Sequence, residues 1–307
     1  MGEDGPPAKA RANAGVAYCV AAGVLYGTLV IFGKLAYETG IEPLPLLFLR
    51  YGLAALAAWG VLLVVRRSAL VLPLGQRAAC LGLGLLYAAQ SYLYFVGFQG
   101  VDAAVTAILF NTFPFHIALL AALFLKEPLT RVIVVALALC VGGVILMAQP
   151  GAGSVDPIGW GLILGSAFGY SIYVVLARGV AQRIAPESVA AHVFAGAALG
   201  FTGAAIAAGK LPWSASAAAF GYAAALAVLS TLLPILLFLK GLRLIGAAKA
   251  GIIGTLEPLT TVALAAVILG SSLTGLQVFG GALILAASVA IHRWGGRVEA
   301  EAGPSRE

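Results

Sequence analysis

The chain of 307 residues is 62% hydrophobic and 10% charged, where soluble globular domains run near roughly 45–50% and 25%. Such a composition defines an integral membrane protein and excludes a sizeable soluble catalytic or receptor domain, because apolar spans consume nearly all of the length. The net charge of +6 would suit an anionic partner such as nucleic acid, but the basic residues cluster at the ends of apolar runs, which marks membrane orientation instead.

Residues 1–13 form a polar tail carrying Lys9 and Arg11. The apolar run after it is as long as the ~20 residues a span needs, so it is expected to be retained rather than cleaved as a signal peptide. Runs able to cross ~30 Å of hydrocarbon lie at 14–36, 43–65, 78–98, 102–125 and 131–148. A linker at 149–156, expected outside, leads to five more at 157–177, 188–208, 217–239, 247–269 and 275–292, and residues 294–307 form a second polar tail. Cys19, Cys80 and Cys140 each fall inside an apolar run, and their odd number and spacing fit neither a disulfide framework nor a metal site. They read as small core residues.

The two sets of five runs match in one ungapped register, offset by 144 residues. Gly15 falls on Gly159, Tyr26 on Tyr170, Lys34 on Arg178, Gly97 on Gly241, Pro114 on Pro258, and Leu129-Thr130 on Leu273-Thr274. An odd number of spans per copy makes the second copy enter the bilayer from the opposite side. The expected fold is therefore all-α, with ten transmembrane helices arranged as two inverted five-helix repeats, 14–148 and 157–293.

Charge supports that count. With ten spans, 15 basic residues fall on one side, including those of both tails, and Lys210 alone falls on the other with Glu38, Glu42, Asp102 and Asp156. By the positive-inside rule both termini are expected to be cytoplasmic, in a multi-pass protein of the cell (inner) membrane. Gly161, Gly165 and Gly169 in the sixth span, and Gly196 with Gly200 in the seventh, have the small-residue spacing that lets helices approach closely in lipid.

Ionisable side chains inside spans need a partner, a watery cavity or a function. Lys34 lies near the outer end of the first span and can snorkel to the interface. Arg50 and Glu257 fall at similar depths, and their repeat partners are Phe194 and Phe113, so neither charge is demanded by the duplicated scaffold. A buried charge pair of structural purpose and a role in substrate or proton binding both fit them. Pro114 and Pro258 interrupt corresponding spans, and matched interruptions are the best sequence pointer to a transporter binding site.

Tyr87, Gln90 and Tyr94 share one face of the third span, and Ser166, Tyr170 and Tyr173 one face of the sixth. Tyr26, Asn111 and Glu257 fall at the same depth. Together Tyr26, Tyr87, Gln90, Tyr94, Asn111, Tyr170, Tyr173 and Glu257 form the candidate substrate site. A lining of phenols, amides and few charges suits a neutral or zwitterionic molecule better than a polyanion. His116 and His192 are isolated and read as bundle residues. No cofactor or metal is expected, and no nucleic acid.

The order of Tyr26-Gly27, Lys34, Pro45, Arg50, Gly97 to Ala104, Pro114, Lys126-Glu127-Pro128-Leu129-Thr130 and Glu257-Pro258 resembles the EamA type of the drug/metabolite transporter superfamily, over residues 14 to 293. The resemblance implies a ten-helix carrier that moves amino acids or other small metabolites, commonly outward, by alternating access, and a monomer is expected. Glu127 is replaced by Ser271 in the second copy, a departure from symmetry on the cytoplasmic side. A proton-coupled carrier and a passive channel or facilitator are both compatible with these residues. An ATP-driven pump is disfavoured because the nearest approach to a phosphate loop, Gly203 to Lys210, has the wrong spacing, and no motif of an intramembrane enzyme is present.

Overall fold

A computed structural model describes residues 8–101, 109–148, 156–212, 215–269 and 274–294, and among them every regular element is helical. The first span is α1 (Ala8–Tyr26) and α2 (Thr28–Glu38), jointed at Gly27. A Cβ at Gly27 would come within 2.6 Å of the Thr260 Cβ, so glycine is what lets a later helix lie against the joint. Then come α3 (Pro43–Val65), started by a proline at its first position, a 3-10 turn at Arg67–Leu70, and α4 (Leu74–Gly100).

Beyond α4, α5 (Phe113–Leu125) ends at Lys126, whose φ of 55° is left-handed, and α6 (Arg131–Ala148) closes the first half. The second half contains α7 (Pro157–Arg183), capped by the Asp156 carboxylate accepting from the Ile158 N–H at 3.1 Å, and α8 (Pro186–Ala207). It continues with α9 (Ala217–Ala227), a π turn at Val228–Leu232, α10 (Leu233–Ile245), α11 (Ala247–Gly254), α12 (Leu256–Leu269) and α13 (Gly275–Trp294).

Six segments are long and apolar enough to cross a bilayer: Ala10–Glu38, Pro43–Val65, Leu74–Gly97, Pro157–Arg183, Pro186–Ala207 and Ala217–Ile245. Shorter apolar helices cover Phe113–Leu125, Arg131–Leu146 and Val278–Ala287. The expected span at 102–125 falls partly outside the described residues, and that at 247–269 is divided by Thr255.

Packing follows the 144-residue register. α4 packs on α7, and the shifted pair, α10 on α1, packs likewise. α5 against α7 is answered by α12 against α1 and α2, while α3 on α8 and α6 on α13 exchange into themselves. The agreement reaches single atoms. A Cβ at Gly97 would lie 3.0 Å from the Gly159 carbonyl and against Ile163; at Gly241 it would lie 2.8 Å from the Gly15 carbonyl and against Cys19, the residue matched to Ile163. With no hydrophobic drive between helices in lipid, such close backbone crossings supply dispersion contacts instead.

The glycine runs divide. Gly200 faces Leu85 and Ala88 of α4, and Gly196 abuts the Leu81 backbone, as their spacing predicts. Gly161 meets nothing within 4 Å, whereas Gly169 meets Gln90 at 3.1 Å.

Candidate substrate cavity

α5 and α12 begin just after interruptions that occupy matched positions. Helical structure breaks at Asn111-Thr112 and at Thr255, each break starting three residues before its proline. Proline removes a backbone donor, and at each break a threonine hydroxyl bonds a carbonyl three residues back: Thr112 donates to Leu109 O at 2.7 Å, and Thr255 to Ile252 O at 2.6 Å. The expected breaks at Pro114 and Pro258 thus appear one turn upstream, because a proline disturbs the turn before it.

A third interruption escaped the sequence reading. α9 and α10 are joined by a π turn, with the Thr231 hydroxyl donating to Leu226 O at 2.7 Å, one residue further back than an α-helical bond would reach. Pro234, inside the expected span 217–239, was its available signal.

These breaks surround a narrow cavity of about 50 Å³, lined by Tyr26, Leu29, Arg50, Tyr87, Gln90, Ser91, Tyr94, Phe95, Phe110, Tyr170 and Glu257. Of the expected site residues, Tyr26, Tyr87, Gln90, Tyr94, Tyr170 and Glu257 line it, and Asn111 and Tyr173 do not. Tyr173 is buried behind the wall, its ring 4.7 Å from that of Tyr87 and 6.1 Å from that of Tyr170. Asn111 is buried at the break of the fourth span, next to the lining residue Phe110.

The wall is held in place by a chain of hydrogen bonds. Gln90 donates from Nε2 to the Ser91 hydroxyl at 3.0 Å and accepts at Oε1 from the Ser166 hydroxyl at 3.1 Å, while Ser91 shares a 2.8 Å bond with Tyr51. Tyr94 and Phe110 meet edge to face at 4.8 Å, and Phe110 leans on Tyr170 at 5.9 Å. A rigid aromatic box with one fixed amide results.

Arg50 and Glu257 face this cavity but form no direct ion pair. Arg50 gives its Nε to the Thr231 hydroxyl at 2.6 Å and Nη2 to the Ser230 carbonyl at 3.4 Å, and its guanidinium lies 5.0 Å from the Tyr51 ring centre and 5.8 Å from that of Phe95. The ion pairs of the described residues are Arg178–Glu127, Lys210–Glu42 and Lys240–Glu187. In place of the expected direct charge pair, the guanidinium takes neutral acceptors of the π turn, the Thr231 hydroxyl and the carbonyl of Ser230, four residues before Pro234, which has no N–H to offer it. Among the described residues no donor holds the half-buried Glu257 carboxylate, which lines the open space.

Away from the cavity, at the end of the bundle where basic residues gather, two helix termini are tied together. The Glu127 carboxylate accepts from the Ala247 N–H at 3.0 and 3.1 Å and from the Ala248 N–H at 3.1 Å, capping α11. Gly246, at φ 87°, brings the chain there, and a Cβ in its place would lie 3.0 Å from Glu127 Oε1. Arg178 lies 3.7 Å from Glu127 and donates from Nη1 to the Leu242 carbonyl at 2.7 Å, and also to that of Arg243, while Gln182 adds a 3.0 Å bond to Arg243 O. This latch joins segments more than 100 residues apart, α5's exit to α11's entry. Lys126-Glu127-Pro128 was visible in the sequence, but not as a helix cap.

Broken helices around a polar, charged cavity inside an apolar bundle define a membrane transport protein. The model of the EamA-like transporter family matches twice, over residues 13–149 and 157–293, and the chain belongs to that family, within the drug/metabolite transporter superfamily. It is 30% identical over 286 residues to the uncharacterized transporter YcbK of Bacillus subtilis (strain 168), covering 88% of this chain and 90% of that one. It is 28% identical over 214 residues to the threonine/homoserine exporter RhtA of Salmonella typhimurium (strain SL1344), covering 70% of each. A solved crystal structure shares its fold with a TM-score of 0.79 at 20% identity, covering 94% of this chain and 99% of that one.

Proposed function

We propose that this transporter exports neutral, zwitterionic amino acids, aromatic ones among them, by alternating access. The observation that carries the reading is a cavity holding a guanidinium and a carboxylate that are not paired with each other. An amino acid brings one charge for each: its carboxylate suits the remaining donors of Arg50, and its ammonium suits Glu257. Phenols and Phe110 offer an apolar and cation-tolerant wall for the side chain. A relative named as a threonine/homoserine exporter agrees with an amino-acid cargo.

The same reading takes the scaffold as ten spans in two inverted repeats, 14–148 and 157–293, with both termini cytoplasmic and the chain acting as a monomer. The exchange of helix contacts under the 144-residue shift supports it. The latch of Glu127 and Arg178 then closes the cytoplasmic end, and opening must break it. Efflux of a panel of labelled amino acids from proteoliposomes tests the cargo. Saturable efflux accelerated by the same amino acid on the far side is expected. Linear, unaccelerated flux would replace the carrier with a passive facilitator, and no flux of any amino acid would sink the proposed cargo.

A further inference from the structure

A second opening lies at the basic end, outside the substrate cavity. It is a groove of about 580 Å³ between the end of α3, the 3-10 turn, the start of α4 and α8, lined by Trp59, Leu63, Arg67, Leu70, Val71, Arg77, Leu81 and His192. Its body is apolar, and Leu63 and Val71 are exposed there, 49% and 74%. Its rim carries two arginines. Arg67 is oriented by a 2.8 Å bond from Nε to the Leu63 carbonyl, and Arg77 by a 3.3 Å bond from Nη2 to the Leu72 carbonyl. Each guanidinium uses one of its five N–H donors in this way, and neither enters an ion pair among the described residues.

The groove floor holds a second, independent sign of a missing partner. His192 is 1% exposed, stacks obliquely on Trp59 at 5.2 Å, and has Nδ1 2.8 Å from the Ser188 carbonyl. A carbonyl only accepts, so Nδ1 carries a proton, and in the neutral ring Nε2 is then the acceptor. Nε2 has no hydrogen-bond partner, and Trp59 cannot supply one, because its Nε1 is committed to Ala191 O at 3.0 Å. Buried acceptors without donors are uncommon in folded proteins and call for an explanation.

Two free guanidinium forks at the ends of membrane helices, above an apolar trench with an unfilled acceptor, match one kind of molecule. We propose that this groove is a binding site for an anionic glycerophospholipid, its phosphate on Arg67 and Arg77, an acyl chain along Leu63, Val71 and Leu81, and a headgroup hydroxyl directed to His192. Guanidinium forks fit phosphate oxygens, and basic pockets between transmembrane helices recognise acidic headgroups. The site ties α3, α4 and α8 together at the end that carries the latch, so its occupant would brace the same end of the bundle. A lysine-rich patch would attract charge from any direction, whereas two forks fixed by backbone carbonyls also define a position.

The test needs no transport and is independent of the amino-acid reading. Native mass spectrometry of the purified full chain in detergent would count bound lipid with phosphatidylglycerol or phosphatidylcholine supplied. Each arginine near an acidic headgroup contributes about fivefold, so wild type is expected to prefer phosphatidylglycerol on the order of 30-fold. Both arginines sit in exposed positions, so Arg67→Gln with Arg77→Gln should fold normally and lose that preference. His192→Phe should retain the charge preference and weaken phosphatidylglycerol by roughly three- to tenfold, the share of one hydrogen bond. Inorganic phosphate and soluble glycerophosphoglycerol serve as competitors. Displacement of the lipid by either at equal concentration would show a soluble-phosphate site and overturn the proposal. So would an unchanged lipid preference in the double arginine variant.

Discussion

Removing the Glu127 carboxylate should shift the protein toward the state open at its basic end. The carboxylate takes bonds from two N–H groups at the start of α11, Ala247 and Ala248, at 3.0 to 3.1 Å. A hydrogen bond to a charged group contributes about 1.5–3 kcal/mol, and a carboxylate at a helix N-terminus about 0.3–1 kcal/mol more. The side chain is 21% exposed, so water recovers part of this when the carboxylate is removed. A net loss of about 2 kcal/mol remains, equivalent to roughly 30-fold in an equilibrium constant.

Where that loss appears decides between two roles. If the cap exists only while this end is closed, Glu127→Ala moves the conformational equilibrium and changes the melting temperature little. If it persists through the cycle, the same energy is lost from folding. A single cysteine at Leu29→Cys, with Cys19, Cys80 and Cys140 replaced by alanine, reports access to the cavity. In oriented vesicles, maleimide labelling from the basic side should rise on the order of 30-fold in Glu127→Ala, and by less in Glu127→Gln, which keeps an acceptor oxygen. A lower melting temperature with unchanged labelling from both sides would refute the latch and leave a static cap.

Gln90→Ala and Tyr94→Ala should each weaken amino-acid affinity about tenfold in a binding titration, the range of one lost hydrogen bond or aromatic contact. If these variants and Asn111→Ala all bound normally, the cavity would not be the substrate site. Glu257→Gln should weaken amino-acid binding, since the substrate ammonium loses its charged partner, and should lose accumulation driven by a proton gradient alone, with exchange persisting only at higher substrate concentration. A stable Glu257→Gln protein that still concentrates substrate would eliminate a coupling role for this carboxylate. Gly97→Val and Gly241→Val should each cost about 1–3 kcal/mol by overpacking against Gly159 and Gly15, while Gly161→Ala, which meets nothing within 4 Å, should leave the melt unchanged. The exposed Lys210, 2.6 Å from Glu42, has its pKa raised above 10.5 by that hydrogen bond and charge. A raised lysine stabilises below its ordinary pKa and loses this effect as pH climbs past the folded value, so any melting difference between wild type and Lys210→Met should be flat from pH 6 to 9 and shrink only in stronger alkali.

What the sequence revealed was local or periodic. The 144-residue register exposes the duplication, and it reaches as far as the Gly97–Gly159 and Gly241–Gly15 crossings. Tyr87, Gln90 and Tyr94 were legible because three- and four-residue steps bring side chains onto one helix face. Tyr173 shared such a face with Tyr170 but turned behind the wall, since periodicity fixes a stripe about 100° wide and not which edge of it meets open space. Arg50's acceptors lie 180 and 181 residues away on a π turn, and no spacing rule reaches so far. Glu127 was noticed as a departure from symmetry, but its role as a cap depends on where α11 begins, which only the fold determines.

The departures from the repeat are where a direction of transport can originate. In a carrier with two identical halves, the state closed at one end would be the image of the state closed at the other, and the two would have equal free energy. A bias requires groups that interact differently in the two states. The chain places such groups where the register fails: Arg50 against Phe194, Glu257 against Phe113, and Glu127 against Ser271. On the proposed reading, the first two put unlike charges into a cavity between two repeats that do not share them, and substrate recognition is then not duplicated. The third gives one end a carboxylate cap that a serine hydroxyl cannot reproduce, because it lacks both the charge and the second acceptor oxygen. A latch of about 2 kcal/mol would favour closure at that end roughly 30-fold in the empty protein. Substrate binding would then have to overcome that preference whenever the cavity opens toward the basic side, which makes the Glu127–Ser271 asymmetry a thermodynamic source of the resting state rather than a decoration of the repeat.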